Sequence, residues 1–354
     1  MSSERVDLSV VIPVYNEEGN LQPLWDELKL TLDNMTRPKE DWTPKLGPQD
    51  PDATEVVRDG RLPPEMLRPL RYEVIFVDDG SKDRSRGILR SLANLEANVR
   101  VVFFRRNFGQ TAAMAAGLDD ARGDVVMFMD SDRQNDPADM PRFMASLDAG
   151  FDVVCGWRRD RKDKAVTRKL PSLIANWIIR KVGGVKVHDL GCTLKAFRRE
   201  VIKEVKLYGE MHRFIPVYAN AVGASITEIP VNHRPRVAGV TKYGLRRTFK
   251  VILDLVTVKY LLTYFGRPMH FFGAVAFFLM LGSTVSGIFM LGNKVWNGVS
   301  MIRSPLLLLS AMLFMLAVNF VLMGLLAEVQ TRTYFESQGA TNYKVKERLG
   351  GGPR

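Results

Sequence analysis

Cysteine is nearly missing from this 354-residue chain: only Cys155 and Cys192 occur, each isolated from any second thiol. That excludes a disulfide framework and the paired thiolates of a structural zinc site, and it points to a reducing compartment. Histidine is also scarce, and His188, His212, His233 and His270 have no metal-ligand spacing. The N-terminus, MSSERVDLSVVIPVYNEEG, turns polar after a short apolar run, so it reads as a first β-strand and not as a signal peptide. Two stretches lack charge altogether: 268–293 and 304–327 contain no Asp, Glu, Lys or Arg. Each exceeds the roughly 20 apolar residues a helix needs to cross a bilayer, which predicts two transmembrane helices.

Positive charge, by contrast, is abundant. The formal net charge of +11 suits an acidic partner: nucleic acid, anionic lipid or a phosphorylated substrate. No nucleic-acid-binding module is recognisable, and the uncharged pair of segments speaks for a membrane, so no nucleic acid is expected. The length allows one catalytic domain with an appendage.

Short β-branched runs at Leu8 to Val14, Tyr72 to Val77, Val99 to Phe104 and Asp124 to Met129 alternate with helical patterns at Asn20 to Leu32, Ser85 to Leu95, Gln110 to Ala121 and Pro137 to Asp148. This predicts a parallel α/β architecture whose ligands bind beyond the carboxyl ends of the strands. The stretch 37–71, rich in Pro, Asp and Arg, reads as an inserted, partly disordered loop. From Tyr243 to Phe265, Phe249, Ile252, Leu253, Val256 and Tyr260 share one helical face and Arg246, Lys250, Asp254 and Thr257 another, predicting an interfacial amphipathic helix. Lys242, Arg246, Arg247, Lys250, Lys259 and Arg267 precede the uncharged pair, and Arg332, Lys344, Lys346 and Arg348 follow it. Only Lys294 and Arg303 lie between, so both termini are expected in the cytosol.

Asp130-Ser131-Asp132 follows an apolar strand, and two carboxylates so placed can approach one divalent cation bridging a diphosphate. Hard oxygen ligands favour Mg²⁺ or Mn²⁺. Asp78-Asp79-Gly80-Ser81 ends another strand, where carboxylates can accept hydrogen bonds from a base or ribose; an ordinary Asp-Gly turn is the alternative.

In this order, SVVIPVYNEEGNL, VIFVDDGSKDRS, RRNFGQTAAMAAGLDDARGD and MDSDRQNDP resemble the GT-A (Rossmann-like) fold of family 2 glycosyltransferases over roughly the first 240 residues. HDLGCTLKAFRREV, VNHRPRVAGVTKYG and the two uncharged segments narrow the resemblance to polyprenyl-phosphate glycosyltransferases related to dolichyl-phosphate mannose synthase and bacterial undecaprenyl-phosphate sugar transferases. The resemblance implies a GT-A domain over 1–240, a juxtamembrane helix region over 241–267, transmembrane helices at 268–293 and 304–327, and a tail over 328–354. It implies that Pro13, Tyr15, Glu17, Asp78 and Asp79 line a nucleotide pocket, with Asp130 and Asp132 holding the metal and Gln134 close by. Arg158 or Arg159 after a Gly156-Trp157 turn, Arg168, Arg234 and Lys242 would grip phosphates, with a solvated basic surface as the alternative, the better one for Arg159. Asp132, Asp189 and Arg234 are the expected catalytic residues, with a capping or turn carboxylate as the alternative for Asp189. The implied reaction is inverting transfer of one sugar from a UDP- or GDP-sugar to undecaprenyl or dolichyl phosphate. Anionic lipid and a second copy of the chain are the implied partners, and a bacterial inner membrane the implied location.

Two features depart from the resemblance: the length of the 37–71 insertion, and Arg133 where relatives often carry an apolar residue. A processive polysaccharide synthase fits less well, because only two spans are visible and no Gln-x-x-Arg-Trp motif occurs. A catalytically silent scaffold is disfavoured by intact Asp79, Asp130 and Asp132.

Overall fold

The computed structural model describes residues 5–39, 67–159, 185, 187–203, 205, 212, 214–234, 260, 264, 268–298, 300 and 304–338. Arg168, Lys242, the middle of the 37–71 insertion and nearly all of the predicted interfacial helix lie outside the described residues. The chain divides into two compact units, Met1–Leu255 and Val256–Arg354.

In the first unit, strand β1 (Leu8–Val14) is buried along its whole length, as its unbroken apolar run requires. Helix α1 (Leu21–Asp33) places Leu21, Leu24, Trp25, Leu28 and Leu32 on one buried stripe at helical spacing. Burying such side chains contributes on the order of 1.5–3 kcal/mol each. Strands β2 (Thr36–Pro38) and β3 (Leu67–Pro69) form a small antiparallel ribbon. Then come β4 (Tyr72–Asp78), α2 (Ser85–Leu95), β5 (Val99–Phe103), α3 (Gln110–Asp120) and β6 (Val125–Phe128). A 3₁₀ turn at Pro137–Asp139 leads into α4 (Met140–Asp148), and β7 (Val153–Trp157), β8 (Lys195–Arg198), α5 (Arg199–Ile202), α6 (Ile215–Ala221) and β9 (Ile226–Pro230) complete the unit.

The sheet has seven strands in the order β5-β4-β1-β6-β8-β7-β9. β5, β4, β1 and β6 are parallel, as the alternation of runs predicts. Beyond β6, where the sequence marked no strand, β8 is antiparallel to both β6 and β7. The sheet is therefore mixed. β8 is four residues long, Lys-Ala-Phe-Arg, too short and too charged at its ends to show a strand period. Gly156 and Trp157 likewise lie in β7 and form no turn.

Both ends of the insertion are ordered as the β2–β3 ribbon, and both point their arginines at one carboxylate. Asp7, fully buried, accepts from Arg68 Nη1 at 2.5 Å and Nη2 at 2.6 Å, from the Arg71 amide at 2.9 Å and from Arg37 at 3.4 Å. Arg37 also reaches Asp148 at 3.2 Å. Asp7 immediately precedes β1, so this cluster sits at the N-terminal end of the parallel strands, opposite the end where ligands bind in such sheets.

In the second unit, α7 (Pro268–Asn297) and α8 (Pro305–Gln338) are each long and apolar enough to cross a membrane. They pack antiparallel through small polar residues: Ser283 Oγ donates to the Ser310 carbonyl at 2.8 Å, and Ser310 Oγ returns to the Ser283 carbonyl at 3.0 Å. Nearer one end, Phe272 meets Phe320. Outward-facing Phe277, Phe278, Ile288, Leu308, Met315 and Leu326 are all exposed, an apolar surface that water disfavours and lipid accepts.

Candidate active site

The sheet changes direction between β1 and β6, since the chain runs β1, β4, β5 to one side before returning to β6 on the other. A crevice opens at such a switch point, and the loops after β1, β4 and β6 form its rim.

Pro13 lies within β1 beside Val77, and Tyr15 and Glu17 follow in the loop. That loop is stitched to the one after β4. The Asn16 amide donates to Ser81 Oγ at 2.9 Å, the Lys82 amide to Asn16 Oδ1 at 2.8 Å and the Glu17 amide to Ser85 Oγ at 3.0 Å. Glu17 Oε2 accepts from Asn20 at 2.6 Å. Asp78 is wholly buried and accepts from Arg86 Nε at 2.7 Å and from the Ser81 amide at 3.2 Å, which braces the turn. Asp79 accepts the amides of Phe108 and Gly109 at 2.6 and 3.0 Å, fixing the loop after β5. Burial pushes the Asp79 carboxyl up in spite of those amides. Gly80 is obligatory here: its φ is +76°, and a Cβ would come within 2.5 Å of the Arg106 carbonyl carbon.

Across the crevice, Asp130 Oδ1 accepts from Gln110 Nε2 at 2.8 Å and Oδ2 from Thr193 Oγ1 at 2.6 Å. Asp132 is buried and accepts the Gln134 amide at 3.1 Å. Burial first, and the Asp132 carboxylate second, push Asp130 up to about 6. Two carboxylates crowded in this way are under-compensated, and a divalent cation would supply the missing counter-charge. No group of three or more His, Cys, Asp or Glu is arranged for a metal among the described residues. The hard oxygens of Asp130 and Asp132 are nevertheless the donor type that an ion of the Mg²⁺ or Mn²⁺ kind prefers, and these two carboxylates are the groups that would hold it. Arg133, between Asp132 and Gln134, has φ 60°, a conformation costing a non-glycine residue on the order of 1–2 kcal/mol.

Basic groups flank the carboxylates. Arg158 grips Asp189 as a fork, Nε to Oδ2 at 2.7 Å and Nη2 to Oδ1 at 3.0 Å. Burial by itself would raise Asp189, yet the Arg158 guanidinium holds it below the usual carboxylate range. Asp189 also accepts the Gly191 amide at 3.1 Å, so the predicted catalytic carboxylate orients Arg158 and its own loop. Lys195 is buried beside them, donating to the carbonyls of Leu190 (3.0 Å) and Cys192, and burial pulls its pKa down. Arg158 and Lys195 both offset the charge on Asp130. Arg234 lies on the far side of the acidic loop, bound to Glu27 at 2.6 Å and Asp136 at 2.8 Å.

The glycosyl transferase family 2 model matches residues 64–206. Dodecaprenyl-phosphate galacturonate synthase of Rhizobium johnstonii is 38% identical over 356 residues, spanning 97% of this chain and 93% of the relative. The chain belongs to glycosyl transferase family 2. Undecaprenyl-phosphate 4-deoxy-4-formamido-L-arabinose transferase of Edwardsiella ictaluri is 34% identical, across 96% of this chain and 93% of its own length. Among solved structures, glucosyl-3-phosphoglycerate synthase from Mycobacterium tuberculosis with Mn²⁺ and UDP-glucose superposes with a TM-score of 0.46 at 19% identity, covering 72% of this chain and 79% of that one. The relatives agree with the polyprenyl-phosphate branch to which the sequence motifs pointed.

Four residues around this family 2 site were not singled out by the sequence: Gln110, Thr193, Lys195 and Glu27. The first three stand inside the motifs RRNFGQT and HDLGCTLK, so position in a motif was the available signal. Glu27 stands on a helix with no local pattern to mark it.

Proposed function

We propose that this chain transfers a single sugar from a nucleotide-sugar to a polyprenyl phosphate at a membrane face, with a divalent cation in the site. The carrying observation is the crowded Asp130–Asp132 pair at the switch point, flanked by Arg158 and Lys195. The two full-length relatives, whose names specify polyprenyl-phosphate acceptors, support the acceptor class.

The chain's own groups divide the work. The loops after β1 and β4 seat the nucleoside, with Asp79 keeping lone pairs for it beyond the two amides it already accepts. Asp130 and Asp132 are the residues that would hold the cation, and such an ion would supply counter-charge for the departing nucleoside diphosphate. Arg158, pre-oriented by Asp189, offers a planar fork to phosphate oxygens, and Arg168 and Lys242 are expected to add further positive charge. The acceptor phosphate is already anionic at neutral pH, so its oxygen attacks the anomeric carbon without a tuned general base. The carbon–oxygen bond to the diphosphate breaks on the opposite face, and the anomeric centre inverts. α7 and α8 would keep the acceptor's hydrocarbon tail in the bilayer, with both termini on the cytosolic side by the basic residues that flank the pair.

The test is incubation of the full chain in detergent with Mn²⁺ or Mg²⁺, undecaprenyl phosphate and a panel of UDP- and GDP-sugars that includes UDP-galacturonic acid. A metal-dependent glycosylated lipid in the mass spectrum supports the reading and names the sugar. A folded chain that yields none with any donor, and binds no nucleoside diphosphate, supports a scaffold instead.

A further inference from the structure

Glu27 projects from α1, outside the apolar stripe that packs against the sheet, and its two oxygens bind two different arginines. Oε1 accepts from Arg133 and Oε2 from Arg234 Nη1 at 2.6 Å. Arg133 is the residue inside the acidic loop that stands at φ 60°. Arg234 closes the loop from its other end by its bond to Asp136 at 2.8 Å, and its amide donates to the Gln134 carbonyl at 2.9 Å. Asn135 and His233 pair as an isolated bridge between the same two segments. A left-handed arginine persists only where its surroundings over-determine it, and here a carboxylate 106 residues away in sequence supplies that restraint. Burial by itself would raise the Glu27 carboxyl, yet the two guanidiniums hold it below its usual range, so it stays ionised at neutral pH.

We propose that Glu27 is a positioning residue: by clamping Arg133 and Arg234 it fixes the 130–136 loop in the one conformation that brings Asp130 and Asp132 together. The inference rests on the reading of that pair as the cation site, but the clamp has its own signature. Arg133, which departs from the resemblance, acquires a role. It is the handle by which α1 holds the acidic loop, and it has no need to touch substrate. Arg234 serves the same restraint from the other side.

The experiment compares wild type, Glu27→Gln, Glu27→Asp, Arg133→Leu and the double variant Glu27→Gln/Arg133→Leu, each as the full chain in detergent. Amide hydrogen exchange is followed over 130–136, with β1 and β4 as internal references. Glu27→Gln is expected to speed exchange in the loop by roughly tenfold, the factor that loss of a charge-assisted bond of about 1.4 kcal/mol gives, and to leave β1 and β4 protected. The double variant is expected to exchange no faster than Glu27→Gln, because one clamp is removed either way, and Glu27→Asp is expected to restore part of the protection. Unchanged loop exchange, or an equal rise in β1 and β4, overturns the clamp. Mn²⁺ titration followed by electron paramagnetic resonance supplies the functional readout, with weaker affinity expected in Glu27→Gln. A looser loop with unaltered Mn²⁺ affinity overturns the positioning role. If the wild-type chain binds no Mn²⁺ while Glu27→Gln still loosens the loop, the cation reading falls and the clamp stands.

Discussion

At the N-terminal end of the sheet, the buried carboxylate of Asp7 faces three arginines; at the carboxyl end, Asp130 faces another carboxylate first and its cations only beyond it. Burial would raise both. At Asp7 the Arg68 fork and the Arg71 amide overcome it and hold the carboxyl below its usual value. At Asp130 burial and Asp132 win, and the carboxyl rises to about 6. One end is electrically closed, which suits an anchor for the β2–β3 ribbon and the insertion that leaves it. At the other end Arg158 and Lys195 do not overcome burial and the second carboxylate, as in a site left to take further counter-charge from what it binds.

The comparison breaks most visibly at Asp132. Asp132→Asn is expected to lower sugar transfer by on the order of a thousandfold, measured as lipid-linked sugar by mass spectrometry, while the melting temperature stays level or rises because a repelling charge has gone. Asp7→Asn is expected to do the reverse. Leaving three arginines without their carboxylate costs about 3 kcal/mol, seen as a fall in melting temperature of roughly 10 °C, with transfer per folded molecule retained. If Asp7→Asn instead removes activity from a chain of unchanged stability, the two ends do not differ as described.

Arg158→Lys sharpens the picture on the carboxyl side. An ammonium cannot reproduce the fork to Asp189, so transfer is expected to fall by roughly tenfold while Mn²⁺ binding holds. Equal losses in both would place Arg158 with the cation and not with the phosphates.

The smallest effect is in pH dependence, and its sign is opposite at the two ends. Asp7 has a lowered carboxyl, so its contribution to stability is complete above about pH 4 and is lost as pH falls through the folded value. Asp130 has a raised one, so its ionised form costs stability above about 6, and the cost vanishes below the unfolded value near 4. Melting of Asp130→Asn against wild type, followed from pH 4 to pH 8 without added metal, is expected to show the variant gaining as pH rises. A constant difference across that range would remove the electrostatic contrast.

Much of this was legible in the sequence because it is local. The strands β1, β4, β5 and β6 fall within a residue or two of their apolar runs, and α2 spans the predicted Ser85 to Leu95. The aspartates of VDDGS and MDSD lie at the strand ends where the runs stop. The uncharged segments are the cores of α7 and α8, which continue past the predicted 293 and 327 to Asn297 and Gln338, because helix persists after the apolar run gives way to polar residues.

Sequence by itself determined the periodic elements, the carboxylates at the strand ends and the two apolar helices, since each depends on neighbours within a few positions. Tertiary structure decided the rest. β8 entered the sheet antiparallel, in pairing with strands about 40 and 70 residues away. Asp78 and Asp189 met Arg86 and Arg158 inside the fold, Arg234 met Glu27 across 207 positions, and the insertion emerged at the end away from the site. Whether a charged side chain faces a ligand or a partner depends on contacts made across the whole domain, and no local period encodes them.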